Sequence, residues 1–236
     1  MSDTFTGFSE ESFQFLAELV ENNDKTWFAE NKARYERVLL APAVAFVTAV
    51  GNHLRPIAPH IITDTRTNGS GSLMRIHRDT RFSADKSPYK TNIAGMWWEG
   101  PGKKTMRPAF GFQLNTAGLA LMAGMFQFDK KQLQAYREAV ADDALGKALE
   151  EAITAVQNNP PAGVVYDLMG AHYKRVPQGY DADHPRADLL KHNALYAHPR
   201  PVIAPEVVTS DDLLAVCLAH FEQMAPIQQW LVRVMN

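Results

Sequence analysis

Apolar residues recur every three or four positions near the N-terminus, which predicts a first helix. Ser9 is a good N-cap, and Glu10 and Glu11 place negative charge in the first turn. An apolar stripe over residues 13–20 continues this helix, and Asn22-Asn23 ends it. The start of the chain is therefore predicted to be helical.

Two further helices are predicted to follow it. Asp24 can cap the second, in which apolar residues over 27–39 keep helical spacing. Pro42 suits the first turn of the third, and Pro56 and Pro59 stop that helix. The N-terminal part of the chain is therefore predicted to contain helices only.

The middle of the chain changes to short runs that are typical of strands. In the segment 73–77, Met74 and Ile76 alternate with Arg75 and His77, as in a half-buried strand. Strands are predicted at 61–62, 73–77, 93–98, 109–114 and 119–122, with an exposed loop at 99–104. No helix separates these runs, and this order favours an antiparallel, meander-like sheet.

Helical spacing returns in the second half. Helices are predicted to begin at Asp129 and at Asp142 or Asp143, and the second ends at 158–163. Up to Pro205, the pattern indicates only a short helix near 188–191 and a possible strand at 195–197, in a segment that wraps a core. Ser210 caps a last helix whose apolar line continues past Pro226. The prediction is one α+β domain over residues 1–236, with a mainly antiparallel sheet flanked by N-terminal, middle and C-terminal helices.

The composition of the chain argues against several classes of function. The chain has 236 residues and a net charge of −2, which argues against nonspecific nucleic-acid or anionic-membrane binding as its main role. The single cysteine, Cys217, lies in an apolar run and excludes an intrachain disulfide. The N-terminus has no signal-peptide pattern, and no segment approaches the roughly 20 apolar residues of a membrane span. We therefore expect a cytoplasmic protein without a membrane partner.

One segment, 72–91, concentrates charged residues in an otherwise nearly neutral chain. Arginine presents a planar fork of donors to carboxylate or phosphate oxygens, and histidine can act as an acid near neutral pH. On a strand through 73–82 one face would carry four of these side chains, and a proline-fixed turn could bring three more over it. The predicted ligand-binding residues are Arg75, His77, Arg78, Asp79, Arg81, Lys86, Tyr89 and Lys90.

The same charges could instead form a structural brace. Asp79 can pair with Arg78 or Arg81, and Asp85 with Lys86 or Lys90. Long basic side chains also extend their charges into water, so charges on a strand do not by themselves imply a ligand. At the level of sequence both interpretations stay open.

Other chemical signals are sparse. His172, His184, His192 and His198 are too irregularly placed for a standard metal site, and none is predicted. The chain contains no P-loop, dinucleotide-binding glycine pattern or Gly-x-Ser-x-Gly motif, so no cofactor is indicated. A second basic pair, Lys174-Arg175, is either a solvated loop or a second wall of the same pocket.

The run Arg78–Thr91, Arg-Asp-Thr-Arg-Phe-Ser-x-Asp-Lys-Ser-Pro-Tyr-Lys-Thr, resembles the signature of the domain of unknown function 2461 family. Matching residues elsewhere are Phe13, Leu16, Asn22-Asn23, Trp27-Phe28, Asn31, Tyr35, Pro42, Gly124, Arg137, the motif Lys174-Arg175-x-Pro177-x-Gly179-Tyr180, and His184-Pro185. Met125 and Phe126 depart from the relatives, which continue with an aromatic residue and proline. The resemblance implies a single α+β domain and a role for 78–90, but no activity, cofactor or partner.

Two hypotheses follow. In the first, the basic residues of the run bind an anionic small molecule, Asp79 orients the arginines, and Tyr89 donates a hydrogen bond. If a reaction takes place there, His77 or Asp79 would be its general acid or base. In the second, the protein is a noncatalytic interaction module that uses an exposed groove or the Pro-rich segment after Asn158. Nucleic-acid binding is a weaker third hypothesis that would require steep salt dependence.

Overall fold

The computed structural model describes residues 5–235. Its N-terminal part consists of helices α1 (Glu10–Glu21), α2 (Lys25–Tyr35) and α3 (Ala41–Leu54), as predicted. The Asp24 carboxylate accepts hydrogen bonds from the backbone N–H groups of Thr26 and Trp27, at 2.8 and 3.0 Å, and so caps α2. A π-helical turn, Glu36–Leu40, joins α2 directly to α3.

A six-stranded antiparallel sheet forms the centre of the molecule. Its strands are β1 (Ile61–Ile62), β2 (Ile93–Glu99), β3 (Ala109–Asn115), β4 (Gly118–Met125), β5 (Val165–Ala171) and β6 (His192–Arg200). The spatial order is β1-β2-β3-β4-β6-β5, so the predicted meander is present as β2-β3-β4. The α+β class and the antiparallel sheet are thereby confirmed.

The second half contains more strand than the sequence predicted. β6 extends well beyond the predicted residues 195–197, and β5 was predicted as irregular chain. Between Met169 and Ala171 the pairing of β5 with β6 shifts register at a bulge. Val165 and Met169 on the outward side of β5 are apolar and exposed, so the strand lacks the alternation of apolar and polar residues by which a strand is recognised.

The remaining helices cover the sheet. They are α4 (Lys130–Ala141), α5 (Asp143–Gln157), the short α6 (Ala187–Leu190) and α7 (Pro205–Val208), and α8 (Leu213–Met235). The carboxylate of Asp142 accepts from the N–H groups of Ala144 and Leu145, which identifies Asp142 as the cap of α5. Helix α8 continues through Pro226, as its apolar pattern indicated.

The core lies between one face of the sheet and the helices α3, α5 and α8. Trp97 is fully buried there, and its indole N–H donates to the backbone oxygen of Val47 at 2.9 Å. Phe46, Phe112 and Phe221 pack around the indole at ring-centroid distances of 5.5 to 5.9 Å. A smaller apolar cluster around Met96 and Trp98 occupies the other face of the sheet.

One helical stretch, Lys25–Leu54, is long and apolar enough to cross a membrane by length and composition. The sequence had led us to expect no such stretch. Phe46, Val47 and Val50 within it are fully buried in the protein core. Core helices of soluble proteins pass the same test, so the feature carries little weight for a membrane location.

Candidate functional site

The predicted site residues begin on an irregular segment at the edge of the sheet. The strand predicted over 73–77 is wrong: Leu73 forms only an isolated bridge with Gly95, and His77 forms another with Tyr89. The segment pairs with β2 for about one residue pair and then turns to a different partner. The side chains of 75, 77, 79 and 81 therefore do not share a strand face.

A short two-stranded ribbon replaces the predicted strand. Arg78 N–H donates to the oxygen of Pro88, and Lys90 N–H donates to the oxygen of Ile76, both at 2.8 Å. Residues 79–87 form the loop that closes this ribbon. The ribbon and its loop hold all the predicted site residues except Arg75, which directly precedes them.

Asn23 fastens the ribbon to the N-terminal helices. Its side-chain amide donates to the backbone oxygen of Tyr89, and its side-chain oxygen accepts from the Tyr89 N–H, both at 3.0 Å. The Tyr89 ring stacks on Phe28 with centroids 4.0 Å apart. Tyr89 is thus mainly a packing residue, and its hydroxyl forms no hydrogen bond within residues 5–235.

Arg78 braces the loop from inside. Its guanidinium donates to the Asp85 carboxylate and the Ser87 hydroxyl, with a longer contact of 3.4 Å to Ser83. The Ser87 hydroxyl and the Arg78 guanidinium hold the pKa of the Asp85 carboxyl well below its usual range. We had expected Asp85 to pair with Lys86 or Lys90, and that expectation is wrong.

Asp79 and Arg81 form a second pair, on the outside of the loop. Their charged groups lie 2.7 Å apart, which is one of the two pairings expected for Asp79. Hydrogen bonds from Arg81 lower the pKa of Asp79 to about 2. Asp79 is therefore ionised at neutral pH, where a general acid would have to be protonated.

Three further cations have no carboxylate partner within the described chain. The Lys86 ammonium donates to the oxygen of Thr80 at 2.9 Å, and the Lys90 ammonium to the oxygen of Arg75 at 3.0 Å. The guanidinium of Arg75 has no hydrogen bond or ion pair with residues 5–235. Burial, and then the charge of Arg75, lower the pKa of Lys90.

An open depression lies beside the ribbon and is called the site depression below. It has a volume of about 460 Å³ and is lined by Val20, Asn23, Arg78, Asp85, Ser87, Tyr89, Lys90, Thr91 and Asn92. Three of the eight predicted ligand-binding residues line it: Arg78, Tyr89 and Lys90. The side chains of Arg75, His77, Asp79, Arg81 and Lys86 are outside its wall.

Sequence analysis missed several residues of this region. Thr91 and Asn92 line the site depression, and neither side chain has a hydrogen-bond partner in the described chain. Asn23 was identified as the end of a helix and as a match to the family, but not as a residue of this site. Its contact with Tyr89 spans 66 residues, and only homologue covariation could have indicated it from sequence.

Lys104 is a buried lysine near the same segment. The loop 99–104 was predicted to be exposed, but Glu99 and Lys104 are 4% and 8% exposed. The Lys104 ammonium donates to the backbone oxygens of Gly71 and Leu73, which lead into the ribbon. Burial lowers the pKa of Lys104 to about 8, and the charge of Lys90 contributes. No feature of the sequence distinguishes this lysine from Lys103.

Two other sequence expectations concern this site. Lys174 and Arg175 do not form a second wall of the site depression, because they follow β5, at the opposite edge of the sheet from β1. Within residues 5–235, no group of three or more His, Cys, Asp and Glu side chains is arranged to hold a metal ion.

A family model described as "Conserved hypothetical protein (DUF2461)" matches residues 11–230. The chain belongs to the DUF2461 family. The resemblance carried by the run at 78–91 is thereby confirmed over nearly the whole chain. A search of curated proteins finds no match to this chain. Membership in the DUF2461 family supplies no activity, so any function must be argued from the site itself.

Proposed function

We propose that this DUF2461 protein binds a small molecule bearing a phosphate or carboxylate group in the site depression. The observation that carries the proposal is that Arg78 and Lys90 both line the same open space. Asp85 is the one carboxylate in that wall, and Arg78 and Ser87 already engage it. One excess positive charge therefore remains on the wall, which favours an anion.

The arrangement of Arg78 supports binding with little loss of side-chain freedom. Its contacts with Asp85, Ser87 and Ser83 fix the guanidinium before any ligand arrives. Its Nε has no hydrogen-bond partner in residues 5–235 and stays available to a ligand. A donor that is already held in place gives more net affinity, because less entropy is lost on binding.

The pair Arg75 and Lys90 supports the same proposal. These two like charges are close enough for Arg75 to lower the pKa of Lys90, and no carboxylate lies within 4 Å of either in the described chain. An anion beside Lys90 would offset this repulsion and favour the charged ammonium. The Lys90 pKa is therefore expected to rise when the ligand binds.

The proposal covers binding alone. Neither His77 nor Asp79 lines the site depression, and Asp79 is held in its ionised form by Arg81. The geometry thus gives neither residue a role as general acid or base. A cytoplasmic location is part of the proposal, and the free, buried thiol of Cys217 is consistent with it.

A noncatalytic interaction module is the second candidate. The pairs Arg78–Asp85 and Arg81–Asp79 brace the loop as a structural network would. At the tip of this loop Phe82 is 96% exposed, and the guanidinium carbon of Arg81 lies 5.8 Å from the ring centroid. An apolar side chain presented in this way could contact another protein.

Calorimetry and thermal-shift measurements with inorganic phosphate and a panel of organic acids distinguish the two candidates. Lys90→Met removes a charge from the wall and should weaken anion binding about tenfold or more. Arg81→Ala is the matched control, because Arg81 is exposed, pairs with Asp79 and does not line the depression. Anion binding that is equal in both variants, or absent from the wild type, would contradict the proposal and favour the interaction module.

A further inference from the structure

Arg137, on α4, is an arginine whose hydrogen-bonding capacity is unused. The residue is half-buried, and its Nε is shielded from solvent without a hydrogen-bond partner. Within residues 5–235 the guanidinium has no ion pair and no hydrogen bond. Buried donors are nearly always paired in folded proteins, so an unpaired one calls for an explanation.

The ring of Tyr173 holds this guanidinium. The carbon of the Arg137 guanidinium lies 5.0 Å from the centroid of the Tyr173 ring. The backbone of Tyr173 is fixed in turn, because its N–H donates to the oxygen of Lys191 at 2.9 Å. Arginine stacked on an aromatic face keeps its planar fork of donors in one orientation, with the edge free for a ligand.

A tight turn brings a second tyrosine back to α4. Tyr180 N–H donates to the oxygen of Pro177 at 3.3 Å, and Gly179 between them has a φ of 93°, which glycine adopts readily. Burial raises the pKa of Tyr180, and the charges of Glu138 and Arg137 also influence it. Tyr180 is half-buried and packs against the hydrophobic core, which fixes this end of the loop.

The end of this loop is clamped to α4 as well. The Arg186 guanidinium donates to the backbone oxygens of Val140 and Asp142, at 2.6 and 3.2 Å. These oxygens lie at the C-terminal end of α4, where carbonyl groups lack partners within the helix. The loop from Tyr173 to Arg186 is thus fixed against the helix that carries Arg137.

This surface holds three cations without a carboxylate partner in the described chain. Lys174 and Arg175 follow Tyr173 directly, are exposed, and form no ion pair in the described chain. The nearby Glu138 is exposed, and its carboxylate accepts a hydrogen bond from Gln134 at 2.6 Å. Asp181 and Asp183, further along the same loop, form no ion pair with these cations in the described chain. Three cations without a carboxylate partner suit a phosphate monoester, which carries about two negative charges near neutral pH.

We propose that Arg137, Tyr173, Lys174 and Arg175 form a second anion site, separate from the site depression, which takes a phosphate monoester. The terminal Nη groups of Arg137 donate to two phosphate oxygens, since its Nε is shielded from solvent, and Tyr173 keeps the guanidinium in its plane. Lys174 and Arg175 supply the remaining charge, and the Tyr180 hydroxyl is a further donor at the rim. This site depends on none of the residues that line the site depression.

An NMR titration of the full chain with inorganic phosphate at constant ionic strength tests this proposal. The backbone amide signals of Tyr173, Lys174 and Gly179 should shift saturably. Arg137→Ala should weaken this binding about ten- to a hundredfold, since a charge-assisted pair of hydrogen bonds is lost. Arg137→Lys keeps the charge without the planar fork of donors, so its affinity for phosphate should lie between those of the wild type and Arg137→Ala.

Two control variants and one further test variant make the experiment specific. Arg55→Ala removes an exposed arginine that has no ion pair in the described chain, and it should leave the titration unchanged. Lys90→Met alters only the site depression and should also leave these shifts intact. Tyr173→Leu keeps Arg137 but removes the stacked ring, and should weaken binding in a chain that remains folded.

Three results would overturn the assignment. In the first, the amide signals at 173–179 of the wild type do not respond to phosphate. In the second, Arg137→Ala binds phosphate as tightly as the wild type does. In the third, the wild type binds acetate as tightly as phosphate. If phosphate instead acts only through Lys90, the second site is wrong while the site depression stands. If the response to phosphate depends only on Arg137, the second site stands and anion binding in the site depression is wrong.

Discussion

Asn23→Ala is the substitution that most directly probes how the ribbon is held in place. The Asn23 side chain makes both hydrogen bonds to the backbone of Tyr89, each at 3.0 Å. Alanine cannot replace either bond, and the substitution leaves one N–H and one C=O of a buried residue without their partner. The ribbon then remains attached to the N-terminal helices mainly by the stacking of Tyr89 on Phe28.

The expected loss of stability follows from these two bonds. A typical hydrogen bond contributes about 1 kcal/mol net, and a donor or acceptor left unsatisfied in a buried place costs about 1–3 kcal/mol. Asn23 is half-buried, so water can partly replace the lost contacts. We therefore expect Asn23→Ala to lower the free energy of unfolding by about 2 kcal/mol. For a chain of this size that is a fall in Tm of roughly 4–8 °C.

Urea unfolding measures this free energy, and Asn22→Ala is the matched control. The Asn22 side chain makes one exposed hydrogen bond, to the oxygen of Glu18 at 2.9 Å, so its loss should cost only about 0.5 kcal/mol. Binding of anions in the site depression should also weaken in Asn23→Ala, because Asn23 and Tyr89 both line it. Equal losses of stability in the two variants would show that the ribbon is not held by Asn23.

Three further predictions concern the interior. Burial lowers the pKa of Lys104 from 10.5 to about 8, so the unfolded chain binds more protons between these values. The stability of the wild type should therefore rise relative to Lys104→Met between pH 8 and 10.5, and parallel urea profiles would contradict this. Tyr166→Phe leaves the buried His220 Nδ1 without its 2.7 Å partner and should cost about 1–2 kcal/mol by urea unfolding, whereas no loss would mean that this bond adds nothing. Gly124→Ala should cost more than about 3 kcal/mol, because its φ is 136° and a Cβ would lie 2.2 Å from a backbone oxygen of β6. Gly102→Ala, with a φ of 100° and no atom within 4 Å of the new Cβ, should cost only about 1 kcal/mol, and similar Tm values for the two variants would refute the steric argument.

Much of the architecture was predictable, because long periodic segments and caps report local structure. Asp24 and Asp142 cap the predicted helices, and the apolar line across Pro226 corresponds to one continuous helix. The meander was predictable because short strands followed one another without helices. β5 was missed because Val165 and Met169 are apolar on its exposed side, so apolar and polar residues do not alternate along it.

The candidate site was predictable only in part, since sequence shows which charges are present but not which of them meet. Arg78 reaches Asp85 across seven residues because the loop folds back, while neighbouring lysines bond to backbone oxygens instead. The segment around Arg75 was predicted as a strand because apolar and charged residues alternate along it for a few positions. No strand forms there, because Leu73 bridges only to Gly95 of β2 and His77 pairs with Tyr89 instead.

The two outer edges of the sheet have a consequence for how copies of this chain meet. At one edge, β1 is only two residues long, and the chain leaves and returns to pair with β2 near Leu73. At the other edge, the bulge in β5 and Gly170 interrupt the row of free N–H and C=O groups. Short and irregular edges are poor templates for strand addition by another molecule. The two edges of the sheet therefore disfavour edge-to-edge pairing between copies of this chain.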